Sequence, residues 1–264
     1  MGQFRKMGFA IAMLMAALGL PKASSSAASG PVYLGRMYLG SDVADLPENP
    51  TVAEQIAAGR KQVGYARGTD HGLDSNREVF DYFNQIAAKL IAASEQKPLF
   101  PIKVHVSSFP VVNAHALPGG QIVFYEKMFD TADTEAQLVS VIAHEIAHEL
   151  HNDFMVFWHD YKHETDIDGP GGVLEQSVKL EAAADETGAR LMYAAGWNPN
   201  GMVELLQRFH KFGVMSRHGR PDYRSSHPDE AKRAEPIKAL IATLPPKENL
   251  TMDSPRFQEL KQKY

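Results

Sequence analysis

The sequence predicts an α+β fold that is mainly helical and carries one small β-sheet. Long segments of the chain place apolar side chains at helical spacing, whereas residues 102–125 contain three short extended runs. Helices are predicted before and after these runs and do not alternate with them, which is typical of α+β domains. After a candidate leader segment about 235 residues remain, enough for one domain with a substantial core.

The first elements of this domain are an arm and two helices. Residues 31–50 carry Gly, Pro and Asp and predict an irregular arm. A helix is predicted over residues 51–63, where Thr51 can act as N-cap and Glu54 stands at the capping-box offset. A stronger helix is predicted over residues 75–94, because apolar side chains recur there at helical spacing.

Three extended segments follow these helices. Residues 102–107 alternate apolar and polar side chains, which predicts a strand buried on one face. Residues 111–117 and 121–125 form two further extended runs, and Pro118-Gly119-Gly120 between them is a turn signal.

Helices account for most of the remaining chain. One is predicted over residues 134–152, with Thr134 or Thr131 as its N-cap. The polar, His-rich stretch 158–172 predicts a loop. A helix over 173–195 then ends at Gly196, a typical C-terminal stop. Three further helices are predicted, at about 199–212, 229–242 and 255–263.

The N-terminus has the pattern of a secretory signal peptide. Arg5 and Lys6 precede an apolar run over 7–20, and the small residues after it predict cleavage that removes about residues 1–27. The apolar run is shorter than the roughly 20 residues that a membrane-spanning helix needs. We therefore expect an exported, periplasmic chain without a membrane span, for which contact at the membrane periphery stays open.

Composition narrows the classes of function. The whole chain has a net charge of −5, and removal of residues 1–27 would take away three basic residues and no acidic one. The sequence contains no cluster of Lys and Arg of the kind that indicates a nucleic-acid partner. The chain contains no Cys, so disulfides and a lipid-modified cysteine are excluded even in an oxidising compartment.

The stretch His144-Glu145-Ile146-Ala147-His148 carries the strongest chemical signal. Residues four apart lie on one face of a helix, so His144 and His148 can bind one Zn²⁺ together. Glu145 points about 100° away from His144 around the helix and can act on a metal-associated water as a general base without binding the metal. The alternative is an apolar core helix that happens to contain two histidines.

A catalytic zinc site needs a third protein ligand. Glu181 and Asp185 are four apart on a predicted helix, so both carboxylates face the same way. Glu181 can complete the ligand set, and Asp185 can accept the free ring N–H of a ligating imidazole. The alternative for this pair is a solvated acidic helix face. His151, His159 and His163 lie near the helix of HEIAH or in the loop that follows it, and are better explained by surface or adventitious metal binding.

These motifs resemble the gluzincin zinc metallopeptidases, within them the family of the CAAX prenyl endopeptidases and HtpX. The resemblance is carried by residues 113–120 (NAHALPGG), HEIAH, Glu181-xxx-Asp185 continuing into Gly196-Trp197-Asn198-Pro199, and Ser226-His227-Pro228 with Arg233. It covers roughly residues 75–243. It implies a zincin-like metallopeptidase domain, assigned to residues 71–264, preceded by an arm and first helix at 28–70. The chain resembles a minimal, soluble, exported branch that lacks the membrane helices and repeat domains of other members.

The resemblance also implies roles for individual residues. His227 and Arg233 would stabilise the oxyanion, with Tyr193 as a weaker candidate, and His227 could instead close the metal site as an inhibitory ligand. The alternatives are a residue that flanks a helix N-terminus for His227 and a surface ion pair for Arg233. Residues Asn113, Ala114, His115 and Ala116 would form the edge strand to which a polypeptide substrate adds. The alternative for this segment is an ordinary edge strand facing solvent, and its His115 stands where Phe is common in the family.

Two functions of different class follow. The first is a zinc endopeptidase, with one Zn²⁺ per chain, acting on misfolded or envelope proteins. The second is a periplasmic chaperone or assembly factor whose metal site is structural or self-inhibited. Structural zinc sites have four protein ligands and no need for a Glu beside the first His, so Glu145 favours the enzyme.

Overall fold

Helices cover both faces of a three-stranded sheet in the computed structural model, which describes residues 32–34, 37–39, 46–69, 73–109, 112–162, 173–212 and 230–264. The strands are β1 (Val32–Leu34), β2 (Met37–Leu39), β3 (Lys103–Ser107), β4 (Ala114–Leu117) and β5 (Gln121–Tyr125). The helices are α1 (Val52–Thr69), α2 (Arg77–Ala92), α3 (Met128–Thr131), α4 (Glu135–His151), α5 (Asp153–Lys162), α6 (Val173–Ala195), α7 (Asn200–Phe212), α8 (Glu230–Thr243) and α9 (Pro255–Lys263). The predicted α+β class is confirmed.

The sheet has the order β3-β5-β4, with β3 parallel and β4 antiparallel to the central strand β5. One face, which includes Val104 and Phe124, belongs to the main core together with α2 and α4. Helix α1 covers the other face, where Val63 packs against Leu117 and Val123. The prediction that β3 is buried on one face only is therefore wrong: His105 is buried as well, because its ring lies between Asp74 and Gln121.

Helix α1 approaches the turn between β4 and β5 very closely. A Cβ on Gly59 would lie 1.8 Å from the carbonyl oxygen of Pro118, so no other residue fits at this point of the helix. Gly119 has a φ of +75°, which favours glycine, and a Cβ there would lie 2.4 Å from Cα of Ile56. Glycines on both sides thus allow the helix backbone to contact the turn directly.

Helix α4, which carries HEIAH, is buried along almost its whole length. Thr134 is its N-cap, as predicted, and accepts a hydrogen bond from the backbone N–H of Gln137. The buried carboxylate of Glu135 accepts hydrogen bonds from Tyr82 Oη at 2.6 Å and Trp197 Nε1 at 3.0 Å. These bonds tie the start of α4 to α2 and to the end of α6, so the helix has little freedom to move against its neighbours.

Several element boundaries differ from the sequence-based expectation. The capping box of α1 is confirmed, since Glu54 Oε2 accepts from the N–H of Thr51 at 2.7 Å, but the helix runs on to Thr69. The prediction of an irregular arm is wrong for residues 32–34 and 37–39, where β1 and β2 pair as an antiparallel ladder. The predicted loop is helical as far as Lys162, because Trp158 is fully buried and its indole N–H donates to Pro47 O at 2.8 Å.

The predicted signal peptide, residues 1–27, lies outside the described residues. None of the helices in the described ranges combines the length and the apolar character that crossing a bilayer requires.

Candidate metal centre

Two neighbouring helices bring three candidate metal ligands together. His144 and His148 lie one turn apart on α4, and their Nε2 atoms are 3.1 Å apart. Glu181, from α6, places its carboxylate oxygens 3.3 Å from Nε2 of His144 and 3.6 Å from Nε2 of His148. One donor atom from each residue lies within 4.8 Å of the other two. This arrangement brings the three donors close enough to share one ion.

The close approach of α4 and α6 makes this geometry possible. A Cβ on Gly188 of α6 would come within 3.2 Å of the backbone of Ala143 and His144, so the two helices are nearly in backbone contact there. Gly188 lies seven residues after Glu181, on the same face of α6. The glycine therefore allows the carboxylate to reach the two imidazoles.

A carboxylate holds the second ring nitrogen of each histidine. Asp185 Oδ1 lies 3.0 Å from Nδ1 of His144, on the same helix face as Glu181. Asp153 Oδ2 lies 2.7 Å from Nδ1 of His148. Such pairs fix the ring orientation and leave Nε2 of each imidazole for a metal. Asp153 was not predicted: it follows Asn152, whose left-handed backbone (φ 54°) ends α4 and turns the chain back towards the site.

Arg233 lies inside this cluster. Its Nε and Nη2 each donate to one oxygen of Asp185 at 2.7 Å, and its Nη1 lies 3.1 Å from Oε2 of Glu181. The residue is only 7% exposed, so the alternative of a surface ion pair does not describe it. The guanidinium faces the carboxylates of α6, on the Nδ1 side of His144.

The charges of the cluster match a bound cation. Burial disfavours the protonated form of His144, but Asp185 and Glu181 outweigh it and raise the pKa of the imidazole to about 10. Burial likewise opposes ionisation of Asp185, yet Arg233 and His144 lower the pKa of its carboxyl. The carboxylates thus favour positive charge at His144. Two imidazoles and one carboxylate are also a ligand set that zinc enzymes use, so the residues fit a divalent metal.

Glu145 lies beside the ligands and is only 1% exposed. One turn further along α4, Glu149 is also buried and accepts a hydrogen bond from the N–H of Gly120 at 3.0 Å. Burial raises the pKa of the Glu149 carboxyl well above its usual value. Glu149 connects the helix of the metal ligands to the turn that ends β4, a role that no sequence pattern indicated.

The two edge strands of the sheet, β3 and β4, differ in how their outward main-chain groups are hydrogen-bonded. On β3, the outward N–H and C=O of Val104 bond to the side-chain amide of Asn84, and those of Val106 bond to Asp74. On β4, Tyr125 N–H donates to Asn113 O. This bond shows which residues of β4 bond to β5, because bonded and non-bonded pairs alternate along an antiparallel ladder.

Because hydrogen bonding alternates along β4, the main-chain groups of two of its alanines do not bond to β5. Ala114 and Ala116 direct their main-chain groups away from β5. Ala114 N–H is bonded to the Asn113 side chain at 2.9 Å. Ala116 is therefore the position of β4 best placed to pair with an added strand.

The other candidate residues that the structure describes are not among the three clustered ligands. His115 packs beside Tyr125 on the face of β4 that α1 covers, with ring centroids 5.8 Å apart. His151 Nε2 lies 3.0 Å from Oγ1 of Thr187, and His159 is mostly exposed, 3.9 Å from Glu48. Tyr193 donates to Pro245 O and stands about 18 Å along α6 from Glu181. His163 and His227 lie outside the described residues.

Comparison with models of known protein families shows to which family the chain belongs. The model of peptidase family M48 matches residues 76–159 and 169–241, more than half of the chain. The chain belongs to peptidase family M48. The M48 match includes the three clustered ligands and Arg233, and it confirms the zincin-like class of the fold.

Two relatives give the scale of the similarity. The chain is 28% identical to the mitochondrial metalloendopeptidase OMA1 of Schizosaccharomyces pombe over 191 residues, which cover 65% of this chain and 56% of that protein. It is 24% identical to the beta-barrel assembly-enhancing protease of Escherichia coli K12 over 159 residues, 60% of this chain and 32% of that protein. The chain thus spans about half or less of the length of these relatives. The closer resemblance to the CAAX prenyl endopeptidases and HtpX stays a prediction.

Proposed function

We propose that this M48 chain is a zinc-dependent endopeptidase of the gluzincin type. The observation that supports it is the convergence of His144, His148 and Glu181 beside Glu145. Three protein ligands leave a fourth position open for water or substrate, as catalytic zinc sites require. A mixed imidazole and carboxylate set also suits zinc better than magnesium or calcium, which prefer oxygen ligands throughout.

Each residue of the site then has a role in hydrolysis. Zinc would supply Lewis-acid chemistry, acidifying water and polarising the scissile carbonyl. Glu145 takes the proton from the attacking water and delivers it to the leaving amine. Asp185 and Asp153 fix the imidazole rings of His144 and His148.

Arg233 has two possible roles in the same site. Its bonds to Asp185 and Glu181 support a positioning role, holding both carboxylates, better than the oxyanion contact expected from the resemblance. His227 remains our candidate for the oxyanion contact or for an inhibitory ligand.

We also propose that the polypeptide substrate lies along the β4 edge. Asn84 and Asp74 already bond the outward main chain of β3, so an added strand finds fewer available groups there. The β4 edge instead presents Ala116. The turn that follows β4 is bonded to Glu149 of α4. This bond holds the edge strand at a fixed position relative to the metal ligands. We further propose that the chain is exported and that misfolded or envelope proteins in the periplasm are its substrates.

Proline at position 116 tests the substrate edge. Ala116→Pro removes the outward N–H and places a ring on the edge, while edge strands tolerate proline. We expect KM for a peptide substrate to rise roughly tenfold, about the effect of one lost hydrogen bond, with kcat nearly unchanged. Ala116→Gly keeps the N–H and is the matched control. An unchanged KM in the proline variant would place the substrate elsewhere.

Metal dependence tests the activity itself. The purified chain should cleave unfolded casein, lose this activity after treatment with a chelator, and regain it with one equivalent of zinc. A folded preparation that binds zinc stoichiometrically but never cleaves casein or unfolded envelope proteins would instead support the second hypothesis, an assembly factor with a self-inhibited site.

A further inference from the structure

A cavity of about 790 Å³ lies between α1, the beginning of α2 and strand β3. Its volume is in the range of small-molecule sites. None of the candidate metal ligands lines it, so it is separate from the metal centre. Its walls contain half-buried apolar side chains, notably Ile56, Phe80 and Ile102. Such a wall can bury the apolar part of a ligand.

Three basic residues line the same cavity, and none of its described lining residues is acidic. Arg77 pairs with Asp81 at 2.9 Å. Arg60 and Lys103 form no ion pair in the part of the chain that the structure describes. Cations also flank the ring of Phe80, with Arg77 Cζ at 5.1 Å and Lys103 Nζ at 5.4 Å from its centroid. The cavity therefore combines an apolar wall with two positive charges that have no carboxylate partner.

The polar groups in the depth of the cavity are already engaged. His105 is held between Asp74, at 2.8 Å, and Gln121, at 3.0 Å. The amide of Asn84 bonds to the main chain of Val104. The basic side chains at the surface are thus the groups left to recognise a ligand, and they select an anion.

We propose that this cavity binds a single-chain anionic amphiphile with a phosphate head. A phosphate monoester carries a charge of about −1.5 to −2 at pH 7, which matches Arg60 and Lys103 together. A guanidinium also presents paired N–H donors to phosphate oxygens. The alkyl chain then lies against Ile56, Phe80 and Ile102. This site is independent of the proposed peptidase activity.

Octyl phosphate is a suitable probe, used as a monomer below its micelle concentration. Isothermal titration of the full chain should show one site. Arg60→Gln should weaken binding about tenfold, since it removes a charged hydrogen bond. Lys61→Gln, on the adjacent residue that does not line the cavity, is the matched control and should change the affinity less than twofold.

A second variant tests the shape of the cavity. Gly64 lines the cavity, and a Cβ built there meets nothing within 4 Å. Gly64→Leu should therefore fold normally, occupy part of the cavity and weaken binding, whereas Gly64→Ala should retain it. Two ligand controls separate head from chain: inorganic phosphate and 1-octanol should each bind at least tenfold more weakly than octyl phosphate. Absence of binding, equal binding of either control ligand, or full binding by folded Gly64→Leu would each overturn the proposal.

Discussion

Replacing Glu145 with Gln is expected to lower kcat for casein hydrolysis by about 10²–10⁴-fold, the contribution of a positioned general base. Glutamine has the same size and keeps the hydrogen-bonding oxygen, but its amide cannot accept the proton of the attacking water. Because the three proposed ligands are untouched, zinc content and the free energy of unfolding should stay close to those of the unsubstituted chain. Kinetics, metal analysis and denaturant unfolding on one preparation measure all three.

Glu186→Gln is the matched control for this variant. Glu186 lies next to Asp185 on α6, but its side chain is exposed and pairs with Arg190. The same loss of charge there should leave kcat within about twofold, because exposed ion pairs contribute little. If Glu145→Gln cleaves casein as fast as Glu186→Gln, Glu145 is not the general base and the proposed mechanism is wrong.

The parts of the site that local spacing determines could be predicted from the sequence. His144 and His148 share a helix face because they are four residues apart, and the same holds for Glu181 and Asp185. The structure brings His144, His148 and Glu181 within reach of one ion, with Asp185 beside His144. The strand and turn at 114–125 were predictable for a similar reason, since Pro118-Gly119-Gly120 interrupts two extended runs.

The parts that depend on distant packing could not be predicted. Asp153 reaches His148 only because Asn152 adopts a left-handed conformation, which no neighbouring residue signals. Burial of His105 depends on Asp74 and Gln121, which enclose its ring, whereas the alternation within β3 indicated one buried face. Arg233 lies 48 residues from Asp185 in the chain, so its partner could be found only from the folded structure.

Removing Arg233 should cost the protein more stability than removing any exposed arginine. Arg233→Ala leaves the carboxylates of Asp185 and Glu181 buried without their cation, and breaking a buried ion pair in this way costs about 3–5 kcal/mol. Zinc affinity should also fall, by about 10–100-fold, because groups that hold a metal ligand in place contribute on this scale. Unfolding by urea in the presence of a chelator and zinc titration of the folded protein measure the two effects separately.

Two further variants identify how Arg233 acts. Arg233→Lys keeps the charge but cannot contact both oxygens of Asp185 at once, so its losses should be intermediate. Arg190→Ala removes an exposed arginine from an i,i+4 pair with Glu186 and should cost about 0.5 kcal/mol or less. A donor to the oxyanion would show the opposite pattern, a fall in kcat with normal stability and normal zinc affinity. Arg233→Ala as stable as Arg190→Ala would therefore reject the positioning role, because two buried carboxylates cannot lose their shared cation without a cost.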